Sequence, residues 1–172
     1  MGINDRRIRF GLAITLASSA IGFGPSKTAS AAGPTSTACP RQGTVSISPP
    51  LTMTPHAFSV VDLGTYGPCR MADGSTRTAE LSAEGKGNGS CSDGHAGGRI
   101  RIAWSNGAVT TGTFEVTYRS PVALVTYAVT EGEFAGRNRS RSILMITADD
   151  PVRCFSTGLT ESGYQGVITF TP

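Results

Sequence analysis

The stretch Arg99–Tyr118, RIRIAWSNGAVTTGTFEVTY, predicts an antiparallel β-hairpin. Apolar and polar residues alternate on both sides of Asn106-Gly107, and a period of two is typical of a strand with one buried face. The residues that share the apolar faces are Ile100, Ile102, Trp104, Phe114, Val116 and Tyr118. Asn-Gly tolerates the positive φ of a type I′ turn, so the strands are predicted at Arg99–Trp104 and Val109–Tyr118.

The same alternation recurs along the chain, interrupted by Gly, Pro, Asn and Asp, and no segment shows a convincing helical period. Further strands are predicted at Thr44–Ser48, Ala57–Tyr66, Thr76–Ala83, Val122–Thr130, Arg137–Ala148 and Gln165–Thr171. Seven to nine strands with short links predict an all-β antiparallel meander. It closes as a small barrel or packs as a two-sheet sandwich, since either arrangement disposes of edge strands; the barrel is favoured.

The N-terminal residues 1–31 have the order of a secretory signal peptide. Arginines at Arg6, Arg7 and Arg9 precede the apolar run Phe10–Phe23. Small residues at Ala29–Ala31 then predict cleavage after Ala31. We therefore expect a secreted, extracellular protein with a flexible leader at 32–38 and a single all-β domain at 39–172.

The positive charge of the chain lies in the export segment. That segment holds four of the fifteen Lys and Arg residues and one of the twelve Asp and Glu residues, which leaves eleven of each. A domain without net charge has no overall positive field for nucleic acid. We therefore expect no nucleic-acid partner, and no membrane association after cleavage.

An even number of cysteines in an exported chain predicts disulfides. The four are Cys39, Cys69, Cys91 and Cys154, without the C-x-x-C pair that favours zinc. Strands that alternate in direction bring the first two to one end and the last two to the other. A Cys69–Cys91 bridge would have to span a strand of about 26 Å, whereas bridged Cα atoms lie within about 7 Å. The predicted pairs are Cys39–Cys69 and Cys91–Cys154.

Three short motifs carry a resemblance to a known group of proteins: GTYGPC at Gly64–Cys69, GSC at Gly89–Cys91 and WSNG at Trp104–Gly107. In these motifs the chain resembles small secreted bacterial β-domain proteins with four cysteines, a group of unassigned activity. The resemblance covers most of the mature chain. It implies export and an all-β fold, and it implies no catalytic residues.

The glycine-rich stretch Glu84–Gly98, EGKGNGSCSDGHAGG, is predicted to be a loop held by the Cys91–Cys154 disulfide. Glycine suits a tight, irregular path because it accepts conformations that other residues avoid. A phosphate-binding loop is disfavoured, since no helix follows and the Gly-Lys-Ser/Thr order is absent.

Histidines and carboxylates gather at the same predicted end of the fold: His56, Asp93, His95, Asp149, Asp150 and Glu161. Carboxylates are calcium ligands, and histidine with carboxylate is a zinc set. Calcium is the favoured ion if this is a metal site, and no other cofactor is expected. The alternative is ordinary turn chemistry, to which Asp-Gly and Asp-Pro belong.

Three arginines recur with period two at Arg137, Arg139 and Arg141 and share one face of a strand. One hypothesis is an anion-binding surface for a polymer such as those of a cell wall. The alternative is a solvated edge whose like charges prevent aggregation.

Catalytic motifs such as G-x-S-x-G and H-E-x-x-H are absent from the sequence, and no catalytic residue is predicted. We expect a secreted, non-catalytic β-domain that binds a cell-wall polymer, a surface protein or a small ligand. The alternative is a small barrel enzyme, of the isomerase or cyclase type, acting in its interior. Strand carboxylates Asp62, Glu80 and Glu115 should face solvent in a packed barrel. One of them pointing inward beside an arginine would favour the enzyme.

Overall fold

A computed structural model describes residues 37–136, 140–147 and 151–170. The predicted signal peptide and residues 32–36 of the predicted leader lie outside the described residues. The first strand begins at Thr37, so the last two residues of the predicted leader belong to it.

The described residues form an eight-stranded antiparallel barrel, with each strand paired to the next. The strands are β1 (Thr37–Leu51), β2 (His56–Arg70), β3 (Thr76–Gly89), β4 (Asp93–Trp104), β5 (Val109–Arg119), β6 (Val122–Glu131), β7 (Ser140–Thr147) and β8 (Leu159–Phe170). A short 3₁₀ helix, Pro151–Phe155, precedes β8. Because β1 also pairs with β8, the sheet has no open edge. The predicted all-β meander is confirmed, and the barrel is the form it takes.

The hairpin of β4 and β5 is confirmed, with a different turn from the one predicted. The amide of Trp104 donates to the carbonyl of Ala108 over 2.9 Å, and this bond closes a three-residue loop, Ser105–Gly107. Gly107 alone in this loop has a positive φ, of 84°. The amide of Gly107 donates to the carbonyl of Trp104 over 2.9 Å, and the side-chain oxygen of Asn106 accepts from the Ala108 amide over 3.1 Å. Three-residue loops of this kind place glycine at the left-handed position.

Both predicted disulfides are present, one at each end of the barrel. We call the end where β1 begins and β2 ends the lower end, and the opposite end the upper end. Cys39 and Cys69 are bridged at the lower end, with their Cα atoms 4.6 Å apart. Cys91 and Cys154 are bridged at the upper end, with their Cα atoms 6.0 Å apart.

The glycine-rich stretch is not the predicted loop. Strand β3 continues to Gly89 and β4 begins at Asp93, so that only residues 90–92 turn the chain. Two of these glycines are crowded by the backbone of β4 and by aromatic rings from other strands. A Cβ at Gly85 would lie 2.6 Å from the carbonyl oxygen of Gly97 and 2.8 Å from Cζ of Phe114. A Cβ at Gly87 would clash with the carbonyl oxygen of His95 and would lie 2.8 Å from Cζ of Phe58. Side chains that reach across from β2 and β5 therefore occupy the space that these glycines leave.

Aromatic rings fill the lower part of the barrel interior. Phe134 and Phe170 stack with centroids 4.2 Å apart, and Trp104 lies 5.7 Å from Phe134. The indole N–H of Trp104 donates to the Thr110 hydroxyl over 3.0 Å, which satisfies its polar atom. Trp104 is thus a core residue, as its position on an apolar face predicted. We call this aromatic packing the lower core.

Candidate functional site

Above the lower core, the barrel interior contains a cavity of about 190 Å³. Its walls are mainly aliphatic and aromatic side chains from all eight strands. Among them are Val45, Ile47, Phe58, Val60, Ala83, Ala96, Ile100, Phe114, Val116, Ala123, Val125, Leu144 and Ile146. An eight-stranded barrel is just wide enough to be filled by side chains or to hold one small ligand. This barrel is filled in its lower part and hollow in its upper part.

The lower boundary of the cavity is polar and includes a buried ion pair. Arg41 of β1 is 3% exposed, and its Nη2 donates to Oδ2 of Asp62 on β2 over 2.5 Å. Asp62 therefore points inward beside an arginine, and the expectation that it faces solvent is wrong. Glu80 and Glu115 are exposed, as a packed barrel predicts.

Two tyrosines complete this boundary and bond to the ion pair. The hydroxyl of Tyr164 donates to Oδ1 of Asp62 over 2.6 Å and accepts from Nη2 of Arg41 over 3.2 Å. The hydroxyl of Tyr127 accepts a hydrogen bond from Nη1 of Arg41. We call Arg41, Asp62, Tyr127 and Tyr164 the polar floor; all four border the cavity.

The guanidinium of Arg41 is also surrounded by aromatic rings. Its Cζ lies 4.7 Å from the ring centroid of Tyr164, 5.6 Å from that of Tyr127 and 5.7 Å from that of Tyr66. Cation–π attraction at such distances partly compensates for the loss of water around the charge. The arginine is therefore held in one place by its ion pair, its hydrogen bonds and these rings.

Two glycines make room for the hydroxyl of Tyr164. A Cβ at either Gly43 or Gly64 would clash with that oxygen. The two glycines are direct cross-strand partners on β1 and β2, so together they open a gap in the inner wall. Through this gap the Tyr164 hydroxyl reaches Asp62, which explains why two adjacent strands both carry glycine here.

Burial changes the acidity of the floor groups. Burial raises the pKa of Asp62, although Arg41 and the hydrogen bond from Tyr164 act in the opposite direction. Burial also raises the pKa of Tyr127 and of Tyr164 well above the usual range of a phenol. Both tyrosines are therefore neutral hydrogen-bonding groups at neutral pH.

The four tyrosines of the chain are expected to resist ionisation while the barrel is folded. Burial raises the pKa of Tyr66, Tyr127 and Tyr164, and it raises the pKa of Tyr118 to about 12. Unfolded tyrosines lose their protons near pH 10, as model phenols do. Above about pH 10 the unfolded chain then holds fewer protons than the folded one, so stability decreases as the pH rises.

This expectation is checked by ultraviolet titration of phenolate absorbance. The folded protein should show almost no tyrosinate near pH 10, whereas the chain unfolded in denaturant should titrate all four tyrosines there. A folded protein in which two or more tyrosines titrate near pH 10 would contradict the burial of Tyr66, Tyr127 and Tyr164.

The upper boundary of the cavity is formed by Tyr118, Ser120 and the Cys91–Cys154 disulfide. The hydroxyl of Tyr118 donates to the carbonyl of Ser90 over 2.7 Å. The disulfide holds the 3₁₀ helix, which contains Cys154, to the turn between β3 and β4. A covalent link thus fixes part of the upper wall.

The predicted metal candidates that the structure describes serve other contacts or face outward. His56 Nδ1 lies 2.9 Å from the carbonyl oxygen of Thr54, and His95 is exposed. Asp93 accepts hydrogen bonds from Ser90 and Ser92, as a turn carboxylate does. Within residues 37–136, 140–147 and 151–170, no three His, Cys, Asp or Glu side chains come together as a metal site requires.

Four residues of the predicted sites lie outside the described residues: Asp149, Asp150, Arg137 and Arg139. Their part in a calcium or anion site remains a prediction. Arg141 and Glu161 are described and exposed, Arg141 on β7 and Glu161 on β8. The cross-strand partners of Arg141 are the uncharged Thr126 and Thr169.

Comparison with known proteins found no matching family model, no matching curated protein and no matching solved structure.

The described residues contain one short 3₁₀ helix, and it is neither long enough nor apolar enough to span a bilayer. The two disulfides are consistent with an extracellular protein.

Proposed function

We propose that this protein is a secreted binding domain that takes a small, largely apolar molecule into its barrel. The observation that carries the proposal is an apolar cavity of about 190 Å³ that ends on a buried arginine. Ligand sites are typically apolar pockets with a few fixed polar groups. An engineered apolar cavity of about 150 Å³ is large enough for benzene, so one ring fits here.

The buried ion pair supports this proposal because such a pair adds little to the stability of a fold. Removing two charges from water is costly, and well-packed apolar residues often replace such a pair without loss. The lower core of this barrel is built from such residues, including Trp104 and Phe170. We attribute the presence of Arg41 and Asp62 above it to ligand recognition.

Among the predicted partners, the cavity favours a small ligand over a cell-wall polymer or a surface protein. A polymer or folded partner would contact the outer surface, where Arg141 is the described member of the arginine set. Export is supported by the two disulfides and by the signal-like residues 1–31.

Filling the cavity is expected to weaken binding of an apolar probe. Ala123 on β6 lines the cavity, so Ala123→Leu places extra methyl groups inside it. We expect the affinity for cumene (isopropylbenzene) to fall by on the order of tenfold, measured by titration calorimetry. Ala128→Leu is the matched control, because Ala128 is exposed on the same strand and should leave binding unchanged.

Thermal unfolding of each variant separates lost binding from lost folding. Overpacking costs about 1–3 kcal/mol, so Ala83→Val, a smaller filler on β3, provides a milder second variant. Equal cumene affinity in the wild type, Ala123→Leu and Ala83→Val would contradict the proposal.

A second candidate is an enzyme acting in the interior, and the inward position of Asp62 favours it. Arg41 and Tyr127 lie where they would stabilise negative charge on a substrate oxygen, and Asp62 with Tyr164 would move a proton. A carboxylate and a phenol that exchange a proton next to fixed hydrogen-bond donors suit an isomerisation or cyclisation.

Hydrogen exchange on a small ketone separates the two candidates. In deuterium oxide, the methyl protons of acetophenone are replaced by deuterium when a base removes one of them and the resulting enolate oxyanion is stabilised. Exchange faster with the wild type than with Asp62→Asn would favour the enzyme. A pure binding domain gives the same slow exchange with both proteins.

A further inference from the structure

We infer that the polar floor selects an uncharged ligand with an acceptor oxygen, such as a carbonyl or hydroxyl, over a carboxylate. This inference rests on the proposed binding function and names the class of its ligand. Two observations support it: the hydrogen-bond acceptors of the floor already have partners within the floor, and the charges of the floor are balanced.

The acceptors of the floor are engaged, whereas some donors are not. Oδ1 of Asp62 accepts from Tyr164, and Oδ2 accepts from Arg41. The Nε of Arg41 is buried and has no hydrogen-bond partner among the described residues. The Tyr127 oxygen accepts from Arg41, so the proton of Tyr127 is left for the neighbouring Tyr66 hydroxyl or for a ligand oxygen. A ligand that satisfies these donors must bring an acceptor oxygen.

The charge of the floor is already balanced. Arg41 contributes one positive charge and Asp62 one negative charge, and the tyrosines are neutral. A carboxylate ligand would add a second negative charge inside an apolar wall, without a second cation within the floor. Burial of an unpaired charge is far more costly than burial of a hydrogen-bonded neutral group. The neutral acceptor is therefore favoured.

Three probes of similar shape test this selection: acetophenone, benzoate and cumene. Acetophenone has a neutral carbonyl, benzoate replaces its methyl group with a charged oxygen, and cumene has no polar atom. We expect acetophenone to bind the wild-type protein about threefold to tenfold more tightly than cumene, as one added neutral hydrogen bond provides. Benzoate is expected to bind least tightly of the three at neutral pH.

Tyr127→Phe should reduce the ratio of acetophenone affinity to cumene affinity towards one, because it removes the phenolic donor. Tyr118→Phe is the matched control, because Tyr118 also lines the cavity but its hydroxyl already donates to the Ser90 carbonyl. This control should keep the preference for acetophenone. Thermal unfolding establishes that each variant is folded.

The outcomes distinguish this inference from the proposed function. Tightest binding of benzoate, or equal binding of acetophenone and cumene, would overturn the ligand class and leave interior binding intact. Failure of all three probes to bind would overturn the proposed function and the inference with it.

Discussion

Asp62→Ala is expected to destabilise the barrel by about 3–5 kcal/mol, because it leaves the guanidinium of Arg41 buried without a counter-charge. Arg41 is 3% exposed, and its other partners are neutral tyrosine hydroxyls. The variant also removes the acceptor that Tyr164 uses. The free energy of unfolding is measured with urea, using the fluorescence of Trp104, the single tryptophan in the chain.

Two further variants make this prediction specific to the buried pair. The double variant Arg41→Met/Asp62→Leu removes both charges and should recover much of the loss, since it leaves no unpaired ion. Asp73→Ala is the surface control, because Asp73 pairs with Arg77 while 56% exposed; it should change the free energy of unfolding far less than Asp62→Ala does. A loss below about 1 kcal/mol for Asp62→Ala would contradict the burial of the pair.

Removal of either disulfide is expected to lower the free energy of unfolding, whereas only removal of Cys91–Cys154 should weaken ligand binding. The Cys39–Cys69 bridge links residues 30 apart in sequence, and the chain-entropy model predicts that it stabilises the fold by about 3–4 kcal/mol. The Cys91–Cys154 bridge links residues 63 apart, which gives about 4 kcal/mol. Only the second borders the cavity. Replacing both cysteines of each pair with alanine provides two matched variants.

The readouts are urea unfolding and acetophenone affinity, measured where each variant remains folded. Cys91→Ala/Cys154→Ala should bind acetophenone less tightly, because part of the upper wall loses its covalent link. Cys39→Ala/Cys69→Ala should bind it as the wild type does. Equal affinity in both variants, or loss only in the lower-end variant, would show that the disulfide does not shape the site.

The strand order and the disulfide pairing could be predicted because turn chemistry is local. Gly107, Gly74 and Gly132 all adopt positive φ at links between strands, and glycine adopts such values without steric cost. Once the turns are located, antiparallel strands alternate in direction and assign each cysteine to an end. No long-range information was needed for this step.

The glycine-rich strands could not be predicted, because their cause lies elsewhere in the chain. Period-two alternation is read from side chains, and Gly85 and Gly87 have none. The atoms that a side chain there would meet belong to the backbone of β4 and to the rings of Phe114 and Phe58, all on other strands. Such complementarity appears only when the barrel is closed.

The polar floor escaped prediction for two reasons. The first reason is that the predicted first strand, Thr44–Ser48, begins after Arg41, whereas β1 begins at Thr37. Arg41 was therefore not assigned to a face of a strand. Asp62 is flanked by Val61 and Leu63, which are 44% and 62% exposed, so hydrophobicity does not show which face is inward. The informative pattern was alternation along the strand, which places Phe58, Val60 and Asp62 on one face of β2.

The proposal of interior binding is tested most directly by an NMR titration of isotope-labelled protein with acetophenone. We predict chemical-shift changes at inward residues of the upper barrel, such as Ala123, Val125 and Leu144, and at Tyr127 of the floor. Outward residues of the same strands, such as Ala128, should change little. Changes confined to outward residues, or none at saturating acetophenone, would contradict the proposal.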